Sequence, residues 1–438
     1  MTDLTAIGDR LKTRAAMGAA LKVNGRITRI GGTVIHAVLP SGHIGEEVIL
    51  RDPIARHEAR AEIIGFKGEE AVLAPFGAID GLSNRAEVIP TGTRPLGPSG
   101  PAMLGRIVDA FGAPLDQRGP IPPDAPLDRD PPSPLSRPVI DTPFVTGIRA
   151  IDGLLTIGQG QRVGLFGAAG VGKSMLLSQI IRGAEVDAIV LGLIGERGRE
   201  VAEFLERDLG EEGRKKAAVV VATSDRPATE RLRAAMTATA AAEAFRDQGL
   251  NTLLLIDSAT RIARALREIG LSAGEPPVRR GFPPSVFARL PRLVERPGRS
   301  ARGTITAIYT ILVEGDDDNA DPVADELRSL LDGHIILSRD LAQSGHFPAI
   351  DVLRSKSRVM DAVTDPAQQS NARQISTWLS KLNDIELLVQ VGEYERGGDP
   401  VADAALDAKS AVDAFLRQSP DDRSAFDTTT EALAGLTS

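Results

Sequence analysis

The stretch GLFGAAGVGKSMLL, residues 164–177, contains the spacing G-x-x-x-x-G-K-S from Gly167 to Ser174. A loop of this kind turns successive backbone N–H groups toward a central anion, and the start of a following helix adds partial positive charge at the same place. Gly167, Gly170 and Gly172 allow backbone angles and close approaches that a Cβ would block, while Ala168, Ala169 and Val171 complete the cradle. Lys173 is suited to the terminal phosphates and Ser174 to Mg²⁺. The flanking RVGLF predicts a buried strand and KSMLLSQIIRG a helix, which is the context the motif requires. These residues point to a nucleoside triphosphate with Mg²⁺. They leave open what its hydrolysis would drive.

Two further acidic positions extend this chemistry. Asp257 ends the apolar run TLLLIDS, and a carboxylate at the C-terminal edge of a parallel strand faces the crevice where such sheets bind ligands. It is suited to hold Mg²⁺ through water, or else to cap the helix SATRIARALRE. Glu196, in LGLIGERGREV, follows another strand-like run and is placed to orient an attacking water. Arg197 beside it is within reach of phosphate; the alternative is a charged loop that pairs with itself.

These residues need a rigid frame, and from about residue 146 the chain supplies one. Strand-like runs QRVGLFG, DAIVLGLIG, AAVVVATS, NTLLLIDS, GTITAIYTILVEG and GHIILS alternate with helical segments. That alternation predicts a largely parallel α/β sheet flanked by helices, and the continuous apolar runs fit strands buried on both faces. The Ala-rich ATERLRAAMTATAAAEAFRDQG predicts a long helix stopped at Gly249.

Upstream, short β-rich runs between residues 23 and 92 predict a small β-barrel, closed or nearly closed, whose only aromatics are Phe66 and Phe76. Residues 93–145 hold ten prolines between Pro114 and Pro143. GPIPPDAPLDRDPPSPLSRP is expected neither to pair in a sheet nor to continue a helix, and to run as an extended strap beside the ordered LGRIVDAFGAPLD. Residues 93–361 would thus form the nucleotide domain with its strap, and residues 362–438 a helical C-terminal domain. At the other end, Leu4, Ile7, Leu11 and Leu21 recur at roughly helical spacing; residues 1–22 are read either as a short amphipathic helix that serves association or regulator binding, or as a frayed terminus.

Composition sets the outer limits. The 438 residues carry 42% apolar residues, no cysteine and a net charge of −8. Disulfides and thiolate zinc sites are excluded, and a mainly electrostatic nucleic-acid partner is disfavoured. Five histidines form no H-x-x-x-H pair, and His334 and His346 are expected to be structural. With no run near 20 apolar residues and no secretory-type start, the sequence is expected to be cytoplasmic.

GAAGVGKS, LIGERGREVAEFL, LLLIDSATRIARALREIGLSAGEPPVRRGFPPSVFARLPRLVER and TILVEGDDDNADPVADELRSLLDGHIILSR closely resemble the ATPases of type III secretion systems. That family comprises injectisome and flagellar export ATPases and is related to the catalytic subunit of rotary ATP synthases. The resemblance spans residues 20–420. It implies an N-terminal β-barrel, a RecA-like domain and a helical C-terminal domain in a homo-hexameric ring. The implied activity is ATP hydrolysis at subunit interfaces, coupled to releasing or unfolding export substrates. Implied partners are a central stalk, a peripheral negative regulator, substrates with their chaperones, and an export gate at the membrane. The implied location is cytoplasmic, peripheral to the inner-membrane apparatus.

By the same resemblance, Glu196 is the catalytic carboxylate and Asp257 the metal-side acid. Phe347 in GHFPAID stacks on adenine, and Arg358 in SKSRVM is an arginine finger offered to the neighbouring subunit. The sequence departs from the family at Ile262 and Leu266, where an aromatic and a glutamine are usual, and in a slightly long acidic loop, EGDDDNADPVAD. VVVATSDRPATERLRA, FPAIDVLRSKSRVM and ELLVQVGEYERGGDP look more like the injectisome branch. A non-catalytic ring subunit would carry glutamine in place of Glu196. An RNA translocase would be expected to have a less acidic, more aromatic barrel. A synthase subunit would match GEPPVRRGFPPSVFARLPRLVER less well.

Overall fold

The computed structural model of the chain describes residues 24–31, 33–313 and 321–437. The helix expected at residues 1–22 lies outside the described residues, as do residues 314–320 of the acidic loop. The chain divides into two units, Met1–Pro95 and Leu96–Ser438.

The first unit holds six antiparallel strands: β1 (Gly25–Gly31), β2 (Val34–Val38), β3 (Glu47–Asp52), β4 (His57–Lys67), β5 (Glu70–Phe76) and β6 (Glu87–Pro90). Their order is β1-β2-β5-β4-β3-β6, and the pair Gly25↔Val88 closes the barrel. Side chains of alternate residues point inward, so Val48, Leu50 and Ile63 are fully buried among small Ala37, Ala61 and Ala71. Phe76 joins the buried residues, while Phe66 is left on the outside.

The second unit is built on a nine-stranded sheet. Its main strands are β7 (Ile107–Val108), β8 (Arg162–Gly167), β9 (Ala188–Ile194), β10 (Ala217–Ala222), β11 (Asn251–Asp257), β12 (Thr304–Leu312), β13 (Gly333–Leu337) and β14 (Ile350–Ser357). They lie in the order β14-β13-β8-β12-β11-β9-β10-β7. All adjacent pairs along this path are parallel except β13 with β14. Every residue of β9 and β10 is buried, which explains their unbroken apolar sequence. Because the central strands run the same way, the segments after Gly167, Ile194 and Asp257 emerge at one edge.

Four elements flank the sheet on the way to the C-terminus: α1 (Lys173–Gly183), α2 (Ala228–Asp247), α3 (Ala259–Ser272) and α4 (Pro322–Leu330). The alanines of α2 let it pack closely; Ala234, Ala235, Ala238, Ala240, Ala241 and Ala242 are fully buried, and the chain turns off at Gly249 with φ 91°. The C-terminal region adds the longer helices α5 (Pro366–Gln390), α6 (Pro400–Leu416) and α7 (Phe426–Thr437). Asp-Pro pairs start α4, α5 and α6: Asp321, Asp365 and Asp399 each accept a first-turn amide, and the proline sits where no N–H is needed.

The proline-rich stretch is ordered and extended, with one correction. Pro123–Pro126 does pair, with Leu96–Pro98, in a two-stranded antiparallel sheet. Proline lacks only the donor: its carbonyl still accepts, and a two-stranded ribbon leaves one side of each strand free of ladder bonds. Elsewhere arginines serve the strap's carbonyls and its surroundings. Arg296, in a buried ion pair with Glu243 at 2.7 Å, donates to Leu127 O at 2.8 Å, and Arg137 of the strap donates to Pro297 O at 3.0 Å.

Candidate functional site

The glycine loop leaves β8 at Gly167 and enters α1 at Lys173. Gly170 and Gly172 have φ of 81° and 87°, the left-handed region that favours glycine. Val171 is buried and pins the loop, Ala168 packs against the core, and Ala169 and Ser174 are exposed. The first turn of α1 has no capping side chain, so its amides remain directed at whatever occupies the loop.

Around the loop the structure gathers three of the expected groups. Lys173 Nζ lies 3.3 Å from Asp257 Oδ1, with both side chains only 12% exposed. Thr310, on β12, donates its hydroxyl to the same oxygen at 2.5 Å. The helix-capping role falls to the next residue: Ser258 Oγ accepts from Arg261 N at 3.4 Å at the start of α3. Glu196 follows β9 after the turn at Gly195, φ 73°. Its loop is held from β10, since Gly195 N donates to Ala222 O and Glu196 O accepts from Ser224 N. Glu196 Oε1 is buried without a hydrogen-bond partner among the described residues. Burial, and then the Asp257 carboxylate, push the Glu196 carboxyl up to about 7, against the pull of Lys173 and Arg261.

Arg261 and Thr310 are the residues that sequence reasoning missed. Arg261 Nε is also buried and unpartnered among the described residues, and its stem packs on Gly195, where an added Cβ would come within 2.9 Å of it. The available signal was position: Arg261 stands in the first turn of α3, and side chains there lean back toward the helix start and the strand end before it. Thr310 had no such signal, because its place beside Asp257 comes from the register of β11 and β12.

Other expected residues lie elsewhere. Arg197 is exposed and turned to Glu200 at 3.5 Å, so it is not part of the Lys173–Asp257–Glu196 cluster. The Phe347 ring lies over Gly172, where an added Cβ would sit 3.2 Å from it. Arg358 follows β14 at the opposite end of the sheet. Ser357 pairs with Gly333, itself level with Val163 near the start of β8, whereas the glycine loop leaves the far end of that strand. Arg358 is exposed and its guanidinium donates to Arg328 O at 3.2 Å. As expected, His334 and His346 serve structure: one stacks edge-on to Phe166 and bonds Arg354 O, the other is buried.

The donors suit Mg²⁺, a hard cation bound through one or two carboxylates together with substrate phosphates. Glu196 and Asp257 offer oxygen only, Ser174 is open to the loop, and no group of three or more acidic or histidine side chains among the described residues forms a self-sufficient metal cage.

The ATP synthase alpha/beta family matches twice, its nucleotide-binding domain over residues 147–357 and its beta-barrel domain over residues 27–92. The T3SS EscN ATPase C-terminal domain matches residues 364–435. The type 3 secretion system ATPase of Sinorhizobium fredii is 51% identical over 440 residues, covering 100% of this chain and 96% of that protein. This chain belongs to the type III secretion system ATPase family. It is therefore an ATP-binding, ATP-hydrolysing enzyme, with a β-barrel, a P-loop α/β domain and a helical C-terminal domain. The Bacillus subtilis flagellum-specific ATP synthase is also similar, at 44% identity over 96% of this chain and 97% of that one. Assembled EscN from enteropathogenic E. coli superposes with a TM-score of 0.90 at 47% identity, covering 94% of this chain and 100% of that chain. EscN in complex with its central stalk EscO gives 0.87 at 46%, with the same coverage.

Proposed function

We propose that this type III secretion ATPase hydrolyses Mg-ATP to release or unfold export substrates at the cytoplasmic face of an injectisome. The observation that carries the catalytic part is the half-buried Glu196 carboxyl beside the Lys173–Asp257 pair, with its Oε1 buried and without a hydrogen-bond partner among the described residues. In this assignment residues Gly167 to Ser174 cradle the phosphates, and Lys173 neutralises their terminal charge. Ser174 and Asp257, the latter through water, hold Mg²⁺, whose bound charge would offset that developing on the phosphates. Glu196 orients the attacking water and draws its proton. A carboxyl poised near working pH suits that task. Arg197 is assigned to contact phosphate.

Phe347 stacks on adenine, and Arg358 completes the site of the adjoining subunit in a homo-hexamer. The assembled state of EscN and its complex with EscO support a ring with a central stalk. Residues 1–22 are assigned to association or to a peripheral negative regulator. Substrates with their chaperones and an export gate at the membrane are the further partners, and nucleic acid is not one. No helix among the described residues is long and apolar enough to cross a membrane, consistent with peripheral attachment. The test is Glu196→Gln: Mg-ATP binding kept and hydrolysis lost. Near-normal turnover would overturn the assignment.

The flagellar export role is the second candidate, because a flagellum-specific relative aligns over nearly the whole chain. Neighbouring genes decide: needle and translocon components indicate an injectisome, rod and hook components a flagellum.

A further inference from the structure

The turn that follows α6 ties the C-terminal helices to two supports of the nucleotide loop. At its centre Gln418 is 4% exposed. Its backbone N–H donates to Phe347 O at 2.9 Å. Its side-chain oxygen accepts from Arg149 N at 2.9 Å, and its Nε2 donates to Gly147 O at 2.8 Å and Asp422 O at 3.1 Å. Neighbouring carbonyls of the same turn are bound from α1, the helix that begins at Lys173: Gln179 Nε2 donates to Ser419 O at 3.0 Å and Arg182 Nη2 to Pro420 O at 2.9 Å. The Phe347 ring meanwhile rests over Gly172.

A buried amide with both ends satisfied fixes the backbone that carries it, since any displacement leaves donors and acceptors unpaired in a dry environment. The backbone so fixed is the one that holds Phe347. The phosphate-binding groups, Lys173 and the loop amides, do not depend on Gln418 for any hydrogen bond.

We propose that Gln418 is a positioning residue for the nucleotide base: it locks the turn after α6, the turn holds Phe347, and Phe347 sets the place of the base without touching the phosphate chemistry. This rests on Phe347 being the base-stacking residue, and the test separates the two ideas.

The measurements are kcat and KM for Mg-ATP, and inhibition of hydrolysis by inorganic triphosphate, which has no base. Gln418→Leu removes every side-chain bond. Gln418→Glu keeps the acceptor for Arg149 N but sets an oxygen against Gly147 O and Asp422 O. Both are expected to raise KM, by about 3- to 10-fold for the leucine variant, while kcat and triphosphate inhibition hold. Phe347→Ala is expected to raise KM by about 5-fold or more, the loss of one base–aromatic stack. A normal KM in the Gln418 variants beside a raised KM in Phe347→Ala overturns the positioning role alone. A normal KM in Phe347→Ala overturns both. Equal weakening of ATP and triphosphate makes Gln418 a merely structural residue and overturns the proposal. The unaltered chain supplies an independent check. Mg-ADP should slow amide exchange over residues 415–422 more than inorganic triphosphate does, and equal protection by the two would also overturn it.

Discussion

Lys173 Nζ and Asp257 Oδ1 face each other at 3.3 Å, joining the start of α1 to the end of β11 across the mouth of the sheet. The distance follows from parallel registration: β8 and β11 both border β12, so their C-terminal ends stand one strand apart. In the free chain the lysine partners the carboxylate. In the proposed assignment an entering triphosphate would compete for that ammonium and leave Asp257 to the metal side. The pair therefore links folding and binding, and its two halves make different predictions.

Lys173→Ala should weaken Mg-ATP binding, because a phosphate-facing charge disappears. It should also destabilise the unliganded chain by about 1–3 kcal/mol, since Asp257 remains nearly buried with, among the described residues, only Thr310 as a close side-chain donor. Denaturant unfolding without nucleotide measures the second effect. Unchanged stability would show that solvent replaces the lysine.

Glu196→Gln tests the carboxylate at constant size. Turnover should fall by at least about 100-fold, the low end of general acid–base contributions, with affinity for Mg-ATP nearly unchanged. Binding calorimetry together with phosphate release separates the two.

The same residue predicts a pH dependence. Its carboxyl is raised from an ordinary 4.5 to about 7, by burial first and Asp257 second. The folded chain then binds more protons than the unfolded chain between these values. Stability contributed by Glu196 is present below about 4.5 and lost as pH rises through about 7, an effect of about 1–2 kcal/mol after allowance for partial exposure. Thermal midpoints of the nucleotide-free chain across that window should fall more steeply than those of Glu196→Gln. Parallel curves would assign the slope to other groups, such as the buried Asp152, whose carboxyl is pushed up to about 6.

Much of this was legible in sequence for definite reasons. Continuous apolar runs predicted the parallel strands, Asp257 stood at the end of one of them, and left-handed glycines marked the loop. Short strands with Gly and Pro turns predicted a barrel, and its complete closure came from the pairing of β1 with β6. What escaped depends on contacts distant in sequence. Thr310 gained its role from strand register, Arg261 from the direction of a helical side chain, and the pairing of Pro123–Pro126 from carbonyls that proline still presents. β14 escaped for another reason: its exposed positions include Arg354 and Lys356, so it lacks the apolar run that announced its neighbours.

Gly172→Ala should impair the site in two ways. The residue has φ 87°, which costs a Cβ-bearing side chain about 1–2 kcal/mol. The added Cβ would also lie 3.2 Å from the Phe347 ring. KM for ATP should rise more than kcat falls if the ring is displaced. A loss in kcat alone would place the damage in the phosphate cradle.

Arg358 tests architecture and mechanism together. It sits at the end of the sheet away from the glycine loop of its own chain, separated by the length of β8, about 16 Å of strand. Its guanidinium is exposed and, among the described residues, tied only to a carbonyl. A phosphoryl transition state spreads negative charge over its equatorial oxygens, which an arginine stabilises. Arg358→Ala should therefore bind ATP almost normally and hydrolyse it about 10³-fold more slowly. Specific activity should rise with protein concentration until rings form. Mixing the inactive variants Glu196→Gln and Arg358→Ala creates some interfaces where an intact Glu196 meets an intact Arg358 from the next subunit. Partial recovery of hydrolysis is expected once subunits exchange. Mixed rings confirmed by mass that show no recovery would count against a shared site, and full activity in a confirmed monomer would exclude it.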